Sequence, residues 1–233
     1  MIIIPARLAS NRFPNKILAN INGFPMVIAT AKRVEKLDRV LIATDSEEVI
    51  NIAKAYSFDA VMTSDTHKSG TDRINEAASK LDLKDDEVIV NVQADEPFIE
   101  PEVVQSVIDK VKNSGCFMAS CYKLIRQEFA DNPNHVKVIT DKNENAIYFS
   151  RSKIPYDREE HLEYFGHLGI YGFTKKSLQE FCSLSPAPQE NIEKLEQLRA
   201  IYHDKKIAMV KVKSESFGID TKEDLEKALA YFS

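Results

Sequence analysis

The 233-residue sequence has no apolar run near the roughly 20 residues that a membrane-spanning helix needs. It also lacks a secretory pattern, because Met1 leads directly into Ile2–Ile4 with no basic region and no small-residue cleavage site. Cysteine is scarce: Cys116, Cys121 and Cys182 show no CxxC spacing and lie among apolar neighbours, as reduced core thiols do. These absences predict a soluble, cytoplasmic protein that does not bind metal through cysteine.

Glycine and early acidic residues are scarce as well. There are seven glycines, and neither GxxxxGK[ST] nor GxGxxG occurs, which excludes these two phosphate-binding loops. The net charge of −5 argues against binding of nucleic acid or of an anionic membrane. No acidic residue precedes Glu35, so the first segment is locally basic, and either an anion site or chance would explain this. Its basic residues are Arg7, Arg12, Lys16, Lys32 and Arg33.

What is present is the composition of a globular protein, with 43% hydrophobic and 29% charged residues and no repeat or low-complexity tract. In the first half, short apolar runs alternate with segments of helical period, which predicts a parallel, doubly wound sheet. The predicted strands are Met1–Ala6, Val40–Thr44, Ala60–Thr63 and Glu87–Val92. The predicted helices are Phe24–Leu37, Ser46–Ser57, Thr71–Leu81 and Glu100–Lys112.

In the second half, strands and helices no longer alternate. Several predicted strands follow one another, which predicts a mixed or antiparallel extension. These strands are Cys116–Leu124, His135–Thr140, Asn145–Ser150 and Gly166–Phe173. The remaining predicted elements are the helices Thr174–Leu184, Glu190–His203 and Thr221–Phe232 and the strand Ile207–Val212. We expect one unit over residues 1–233, in which residues 116–173 form a smaller subdomain.

A basic loop follows the first predicted strand, in the segment IIIPARLASNRFPNK (2–16). It contains Arg7, Ser10, Arg12 and Lys16 directly after the buried strand. Guanidinium and ammonium groups at a strand's carboxyl end can bind triphosphate oxygens. A solvated basic loop would explain the same residues equally well.

An acidic loop follows the fourth predicted strand, in EVIVNVQADEPFI (87–99), and contains Gln93, Asp95 and Glu96. A carboxylate in this position is suited to Mg²⁺, which takes oxygen ligands; an ordinary turn is the alternative. In GIDTKEDLEKAL (218–229), Asp220 is a metal-ligand candidate if the fold brings it beside Asp95, and otherwise Asp220 or Thr221 is a helix cap.

Four further segments offer polar groups for ligands. In HKSGTDRINE (67–76), Ser69, Thr71 and Arg73 could bind the edge of a base, or could form a glycine turn with a helix cap. In the other three segments, a core histidine, a surface salt bridge or a solvated helix edge would explain the residues as well. The candidates there are Arg151 after an apolar strand, His167 and Tyr171 on one strand face, and Glu196 and Gln197 on a helix.

Taken together, these segments resemble the 3-deoxy-manno-octulosonate cytidylyltransferases (CMP-KDO synthetases) from residue 2 to about residue 230. The co-linear matches are PARLASNRFPNK, SGTDR, NVQADEP, NPNHVKVI, YFSRSKIPY, HLGIYGF, LEQLR and GIDTKEDLE. The resemblance implies an α/β fold with a doubly wound, mostly parallel sheet of the nucleotide-diphospho-sugar transferase type and a mixed-strand dimerisation subdomain. It also implies a Mg²⁺-dependent homodimer that joins CTP to 3-deoxy-manno-octulosonate, releasing pyrophosphate and giving CMP-KDO for lipopolysaccharide synthesis.

The resemblance also implies roles for particular residues. Arg7 and Lys16 would hold the triphosphate, and Asp95 and Asp220 would ligate metal. The cytidine would be lined by Pro5, Ala6, Ser69, Thr71 and Arg73. The sugar acid would be held by Gln93, Arg151, His167, Tyr171, Glu196 and Gln197.

The sequence departs from the usual motifs of this family at three places. Ala94 replaces the glycine of QGDEP, which matters only if the backbone there needs a positive φ. Lys222 replaces a proline at the start of the last helix, and the segment between Pro155 and His167 is short. These departures leave open a related sugar acid, such as a sialic acid or an amino-substituted KDO. A non-catalytic nucleotide-binding regulator is a further alternative, against which the retention of both candidate metal ligands argues.

Overall fold

The computed structural model describes residues 1–9, 12–159 and 163–232. The predicted strands all occur, with ends shifted by a few residues, and a short hairpin (β2 and β3) is added to them. The strands are β1 (Ile2–Ala6), β2 (Asn20–Ile21), β3 (Phe24–Pro25), β4 (Val40–Thr44), β5 (Asp59–Met62), β6 (Val88–Asn91), β7 (Met118–Arg126), β8 (Lys137–Thr140), β9 (Ala146–Ser150), β10 (Glu163–Thr174) and β11 (Ile207–Lys211).

The helices also follow the prediction closely, apart from one that is broken in two and the short α5, which was not predicted. They are α1 (Met26–Val34), α2 (Glu47–Ala55), α3 (Gly70–Ser79), α4 (Pro101–Ser114), α5 (Gln127–Ala130), α6 (Lys175–Ser183), α7 (Pro188–Glu193), α8 (Leu198–Tyr202) and α9 (Lys222–Tyr231). A 3₁₀ turn covers Lys16–Leu18. Within the described residues, no helix is both long enough and apolar enough to cross a membrane.

The main sheet has the strand order β11-β7-β10-β6-β1-β4-β5. Strands β6, β1, β4 and β5 are parallel, as predicted for the first half. Strand β10 is antiparallel to both β6 and β7, and the β8–β9 hairpin extends from β10. The second half is therefore the mixed extension that the sequence predicts.

Helices cover both faces of the sheet, which makes the fold doubly wound. Successive side chains of a strand point to opposite faces. On β1, Ile2 and Ile4 accordingly pack in the cluster formed with α1, α2 and α4, while Ile3 packs in the cluster formed with α3 and α6. Because both faces are covered, all five residues of β1 are buried, as its continuous apolar sequence predicts.

The order of the parallel strands reverses between β1 and β6. From β1 the chain proceeds outward through β4 and β5, and then returns to the other side of β1 as β6. The connections leaving β1 and β6 therefore diverge, and they open a crevice at the carboxyl ends of these two strands. Ligands of open α/β sheets bind at such a point.

The predicted helix Glu190–His203 is wrong as a single element. The chain forms α7 and α8, separated by residues around Lys194, whose φ of 54° lies in the left-handed region. The apolar spacing that predicted one helix is real in part, since Leu195 and Leu198 are buried, but Tyr202 is 52% exposed. The break places Glu196 and Gln197 in a connection rather than along a helix edge.

Within the predicted subdomain, residues 116–173, strands β7 and β10 lie in the main sheet and the β8–β9 hairpin pairs with β10. The subdomain itself stays a prediction. A part in dimerisation for this region stays a prediction.

Candidate active site

A polar cleft of about 450 Å³ opens where the parallel strand order reverses. Its walls come from the connections after β1 and β6, the start of α3 and the segment before α9. The lining residues are Pro5, Arg7, Ala9, Arg12, Lys16, Ile17, His67, Lys68, Ser69, Gly70, Arg73, Gln93, Ala94, Asp95 and Asp220. The basic and acidic loops identified in the sequence therefore face each other across one cleft.

The basic loop presents cations to this cleft. Arg7 is exposed there, and Arg12 forms an ion pair of 2.9 Å with Asp220. Lys16 begins the 3₁₀ turn, whose position is supported by the buried Phe13, because the carbonyl of Phe13 accepts from the Lys16 N–H at 3.1 Å. Ser10, also predicted in this loop, lies outside the described residues.

Lys16 joins the two predicted metal-ligand carboxylates. Its Nζ atom lies 2.6 Å from Oδ2 of Asp95 and 3.0 Å from Oδ1 of Asp220. Burial opposes the charge on Lys16, but the two carboxylates more than compensate and raise its pKa. Burial likewise favours neutral Asp220, yet Lys16 and Arg12 lower its pKa, so the carboxylate is ionised.

The backbone holds the two acidic segments together. The N–H of Ile219 donates to the carbonyl of Asp95 at 2.9 Å, so Asp220 comes beside Asp95 although 125 positions separate them in the chain. Thr221 is the N-cap of α9, and its side chain forms a capping box with Asp224. Thr221 thus takes the capping role that the sequence left open for either residue, while the Asp220 side chain points to the cleft.

Asp95 and Asp220 fit a hard divalent cation. Their carboxylates converge on one cationic nitrogen, and Mg²⁺ prefers such oxygen donors. The described part of the chain contains no group of three or more His, Cys, Asp or Glu side chains placed to hold a metal by themselves. In Mg²⁺ sites that include substrate phosphates, one or two carboxylates are a sufficient donor set from the protein.

Glu96 lies behind this pair and differs from it. Its Oε2 atom is buried without a hydrogen-bond partner among the described residues. Burial, with the neighbouring charge of Asp95, raises the pKa of Glu96 to about 8. Glu96 is therefore neutral at neutral pH and adds no charge to the cleft.

The start of α3 forms the wall opposite the acidic loop. Ser69 is the N-cap of α3, and its Oγ accepts from the Asp72 N–H at 3.1 Å. Gly70 permits close packing here, since a Cβ atom would lie 3.1 Å from Pro5 Cγ and 3.2 Å from Gln93 Nε2. The predicted capping turn is thus present and lines the cleft at the same time.

Arg73 lines the cleft but is held by protein groups. It is 3% exposed, and its guanidinium donates to Thr63 Oγ1 at 2.6 Å and to Asp45 Oδ2 at 2.8 Å. Asp45 also accepts from the N–H of Leu8 at 3.3 Å, which ties Arg73 to the basic loop. This role for Asp45 was not predicted from the sequence. Asp45 does directly follow a predicted parallel strand, and the ligand sites of such sheets lie at the carboxyl ends of their strands.

Ala6 and Thr71, two predicted nucleotide contacts, lie behind the cleft wall. Both are fully buried, and Ala6 ends β1 beside β4. The Thr71 hydroxyl donates to Glu196 Oε1 at 2.5 Å. This bond joins Thr71, at the start of α3, to one of the residues predicted to hold the sugar acid.

Four of the residues predicted to hold the sugar acid come together around β10 and the α7–α8 connection. Tyr171 donates to Gln197 Oε1 at 3.0 Å, and Gln197 Nε2 lies 3.5 Å from Nδ1 of His167. Glu196 precedes Gln197 and faces Thr71. Burial lowers the pKa of His167 to about 3 and raises that of Glu196, so this cluster favours neutral groups.

Arg151 lies apart from that cluster. Its Nε donates to the carbonyl of Glu193 at 2.7 Å, and its Nη1 donates to the carbonyl of Pro133 at 3.0 Å. Lys137, which is fully buried, supports the same loop because its ammonium donates to the carbonyl of Arg151 at 2.6 Å. No pattern in the sequence separated Lys137 from ordinary surface lysines. Gln93, the remaining predicted sugar contact, donates to Asn91 Oδ1 at 3.1 Å.

The substitution at position 94 is mild. The backbone of Ala94 does not lie in the positive-φ region, so no glycine is required there. Its carbonyl accepts from the Thr30 hydroxyl at 3.0 Å, which fixes the path of the acidic loop. The short segment between Pro155 and His167 includes residues 160–162, which lie outside the described residues.

Comparison with known proteins agrees with this arrangement. Residues 1–207 match the family model described as cytidylyltransferase. The chain is 58% identical to the 3-deoxy-manno-octulosonate cytidylyltransferase of a Nitratiruptor species and 52% identical to that of Wolinella succinogenes, in each case over 100% of this chain and 99% of the relative. Among solved structures, CMP:2-keto-3-deoxy-manno-octonic acid synthetase complexed with CTP superposes with a TM-score of 0.93 at 35% identity, over 99% of this chain and 97% of that one.

Proposed function

The chain belongs to the cytidylyltransferase family and is therefore a nucleotidyltransferase, and we propose that it transfers CMP from CTP to 3-deoxy-manno-octulosonate with release of pyrophosphate. The observation that carries the proposal is its full-length likeness to a synthetase of this sugar nucleotide in complex with CTP. The product, CMP-KDO, would serve lipopolysaccharide synthesis.

In this reaction the anomeric hydroxyl at C2 of the sugar acid attacks the α-phosphorus of CTP. The new O–P bond forms in line with the bond to pyrophosphate, which breaks, and the hydroxyl proton leaves to solvent. The protein forms no covalent bond, so positioning and charge neutralisation supply most of the rate enhancement. Arg7 and Lys16 would neutralise the triphosphate, because both line the cleft and carry cationic groups.

Asp95 and Asp220 would hold Mg²⁺. When bound, the ion lowers the pKa of the attacking hydroxyl and offsets charge on the phosphates. Lys16 is then free to leave the two carboxylates and bind phosphate oxygens. The cleft therefore exchanges one set of ion pairs for another instead of burying an unpaired charge.

The pyrimidine and the sugar acid would bind beside each other. Pro5, Ser69 and Gly70 line the cleft together with Arg7 and Lys16, so cytidine is proposed there. The sugar acid would lie toward the cluster joined through Thr71 and Glu196. Its proposed contacts are Gln93, Arg151, His167, Tyr171, Glu196 and Gln197.

Three further properties complete the proposal. Mg²⁺ dependence is supported by the convergence of Asp95 and Asp220. A homodimer that uses residues 116–173 is supported by the exposed apolar side chains on and beside the β8–β9 hairpin, such as Ile147 and Tyr156. A cytoplasmic location is supported by the three free cysteines, which suit a reducing compartment.

Steady-state pyrophosphate release tests the proposal. The purified protein is assayed with Mg²⁺ and each of CTP, ATP, GTP and UTP, without a sugar acid and with each of 3-deoxy-manno-octulosonate, a sialic acid and an amino-substituted KDO. Release that requires both CTP and this sugar acid supports the proposal. Release only with a sialic acid or an amino-substituted KDO contradicts the proposed sugar, and binding of CTP without turnover of any sugar acid contradicts the reaction.

A further inference from the structure

Strand β10 contains an irregularity between two of the proposed sugar contacts. Leu168 pairs with Cys121 and Tyr171 pairs with Ser120, so three steps along β10 oppose one step along β7. In a regular strand, the Cα atoms of His167 and Tyr171 would lie about 13 Å apart, at roughly 3.3 Å per residue. In this irregular strand the ring centroids of His167 and Tyr171 are 5.6 Å apart.

The bulge leaves carbonyl groups outside the regular ladder, and Ser120 satisfies one of them. Ser120 is fully buried on β7. Its Oγ lies 2.8 Å from the carbonyl oxygen of Ile170 and 3.4 Å from that of Leu168. Because a carbonyl oxygen can only accept, the hydroxyl proton of Ser120 is directed to the bulge.

The same Oγ atom lies 2.8 Å from Nε2 of His167. With its own proton given to a carbonyl, Ser120 must accept from His167, so the imidazole carries its proton on Nε2. Nδ1 is then an acceptor, and it faces the amide nitrogen of Gln197 at 3.5 Å. The low pKa of His167 agrees with a neutral ring in this position.

The hydrogen bond that Ser120 donates to the bulge determines which atoms donate and which accept at His167, Gln197 and Tyr171. Gln197 directs its nitrogen to His167 and its oxygen to the hydroxyl of Tyr171, which donates to it at 3.0 Å. A change of tautomer at His167 would place an N–H against the amide N–H of Gln197. The amide would have to turn over, and Tyr171 would lose its acceptor.

We propose that Ser120 is a positioning residue for the sugar acid, which sets the tautomer of His167 and thereby the donors and acceptors that Gln197 and Tyr171 present. The proposal rests on the proposed function for its ligand, but the tautomer itself is independent of any ligand. Ser120 does not touch the reacting atoms. It acts through the bulge and the imidazole.

Three variants test the proposal. In Ser120→Ala the acceptor for His167 Nε2–H is removed, whereas Ser120→Thr retains the hydroxyl. Ser177→Ala is the matched control, since Ser177 is also buried but caps α6 through Thr174. We measure KM for each substrate, kcat, the thermal midpoint and the ¹⁵N chemical shifts of His167.

We expect Ser120→Ala to raise KM for the sugar acid about tenfold and to leave KM for CTP unchanged, because one buried hydrogen bond is lost on the sugar side alone. Ser120→Thr should restore most of the sugar affinity, and Ser177→Ala should leave both KM values unchanged. An equal rise in both KM values, or an unchanged KM for the sugar acid, would overturn the proposal.

The ¹⁵N spectrum separates this inference from the proposed reaction. In the unmodified protein His167 should show the Nε2–H tautomer, and in Ser120→Ala a mixture of tautomers. An Nδ1–H tautomer in the unmodified protein would overturn the proposal even if Ser120→Ala does not fold. If the protein turns over no sugar acid at all, the proposed function is contradicted. The ¹⁵N spectrum of His167 still shows whether Ser120 sets the tautomer of the ring.

Discussion

The Nζ atom of Lys16 lies 2.6 Å from Oδ2 of Asp95, across the cleft between the loops that follow β1 and β6. The same nitrogen lies 3.0 Å from Asp220. One lysine thus neutralises two carboxylates that come from distant parts of the chain. These ion pairs bridge the two loops, and the proposed reaction needs the same charges for other partners.

Replacing Lys16 by methionine should leave two carboxylates without their common cation. We expect a loss of roughly 1–3 kcal/mol of unfolding free energy in the absence of Mg²⁺, because the repelling carboxylates are partly buried. Added Mg²⁺ should raise the thermal midpoint of this variant more than that of the unmodified protein. Lys36→Met, at an exposed position just after α1, is the control and should show neither effect. An equal response of both proteins to Mg²⁺ would contradict the assignment of the carboxylates.

Replacing Asp95 or Asp220 by asparagine should abolish turnover with little change of fold. Each amide keeps the shape of the side chain but lacks the charge that holds Mg²⁺, and we expect a loss in kcat of more than about 100-fold. Circular dichroism checks the fold, and Asp109→Asn on the exposed side of α4 is the control. Near-normal activity in Asp95→Asn would rule out the proposed metal site.

The buried pair of Arg73 and Asp45 should contribute to stability and to nucleotide affinity together. Asp45→Asn removes the charge facing a guanidinium that is 3% exposed, at a cost of about 3 kcal/mol in unfolding free energy. Because Asp45 also accepts from Leu8 in the basic loop, KM for CTP should rise as well. Urea denaturation and steady-state kinetics measure the two effects. A destabilised variant with an unchanged KM for CTP would show that the pair is structural only.

Stability should decline in acid partly because of His167. Its pKa is about 3 in the folded protein, where burial disfavours the charged ring, and about 6.5 in the unfolded chain. The unfolded chain therefore binds an extra proton below pH 6.5, and this contribution is lost as the pH falls from 6.5 toward 3, by up to about 1.4 kcal/mol per pH unit. His167→Gln should reduce this slope between pH 6 and pH 4. An unchanged slope would show that the ring is not buried as a neutral group.

Much of the fold was predictable, because apolar runs of strand length alternate with helical periods in the first half. The strand Val40–Thr44 has the predicted bounds, and β1 was identified from its continuous apolar sequence. The broken helix was not predictable. The residue with left-handed backbone is Lys194, not a glycine or asparagine that would indicate a helix end, and the apolar spacing continues on both sides of it. The periodicity of apolar residues is a local property of the sequence, and it does not show where tertiary contacts end a helix.

The site was predictable in its loops but not in its contacts. The positions of Lys16 and Asp95 after neighbouring parallel strands were sufficient to place them at one cleft. The pairing of Asp220 with Asp95 depended on the whole fold, and the spacing around Thr221 allowed a cap equally well. The bulge in β10 between Leu168 and Tyr171 depends on the register of β7 against β10, which no local pattern encodes.

Phosphorus-31 NMR of a reaction mixture tests the central claim most directly. The protein is incubated with Mg²⁺, CTP and 3-deoxy-manno-octulosonate, and the phosphorus species are followed over time. We expect the triphosphate signals to be replaced by equal amounts of pyrophosphate and of one phosphodiester. The signals should not change when the sugar acid is omitted or when the Asp95→Asn variant is used. Unchanged CTP in the complete mixture, or its conversion to CDP and phosphate, would contradict the proposed transfer of CMP.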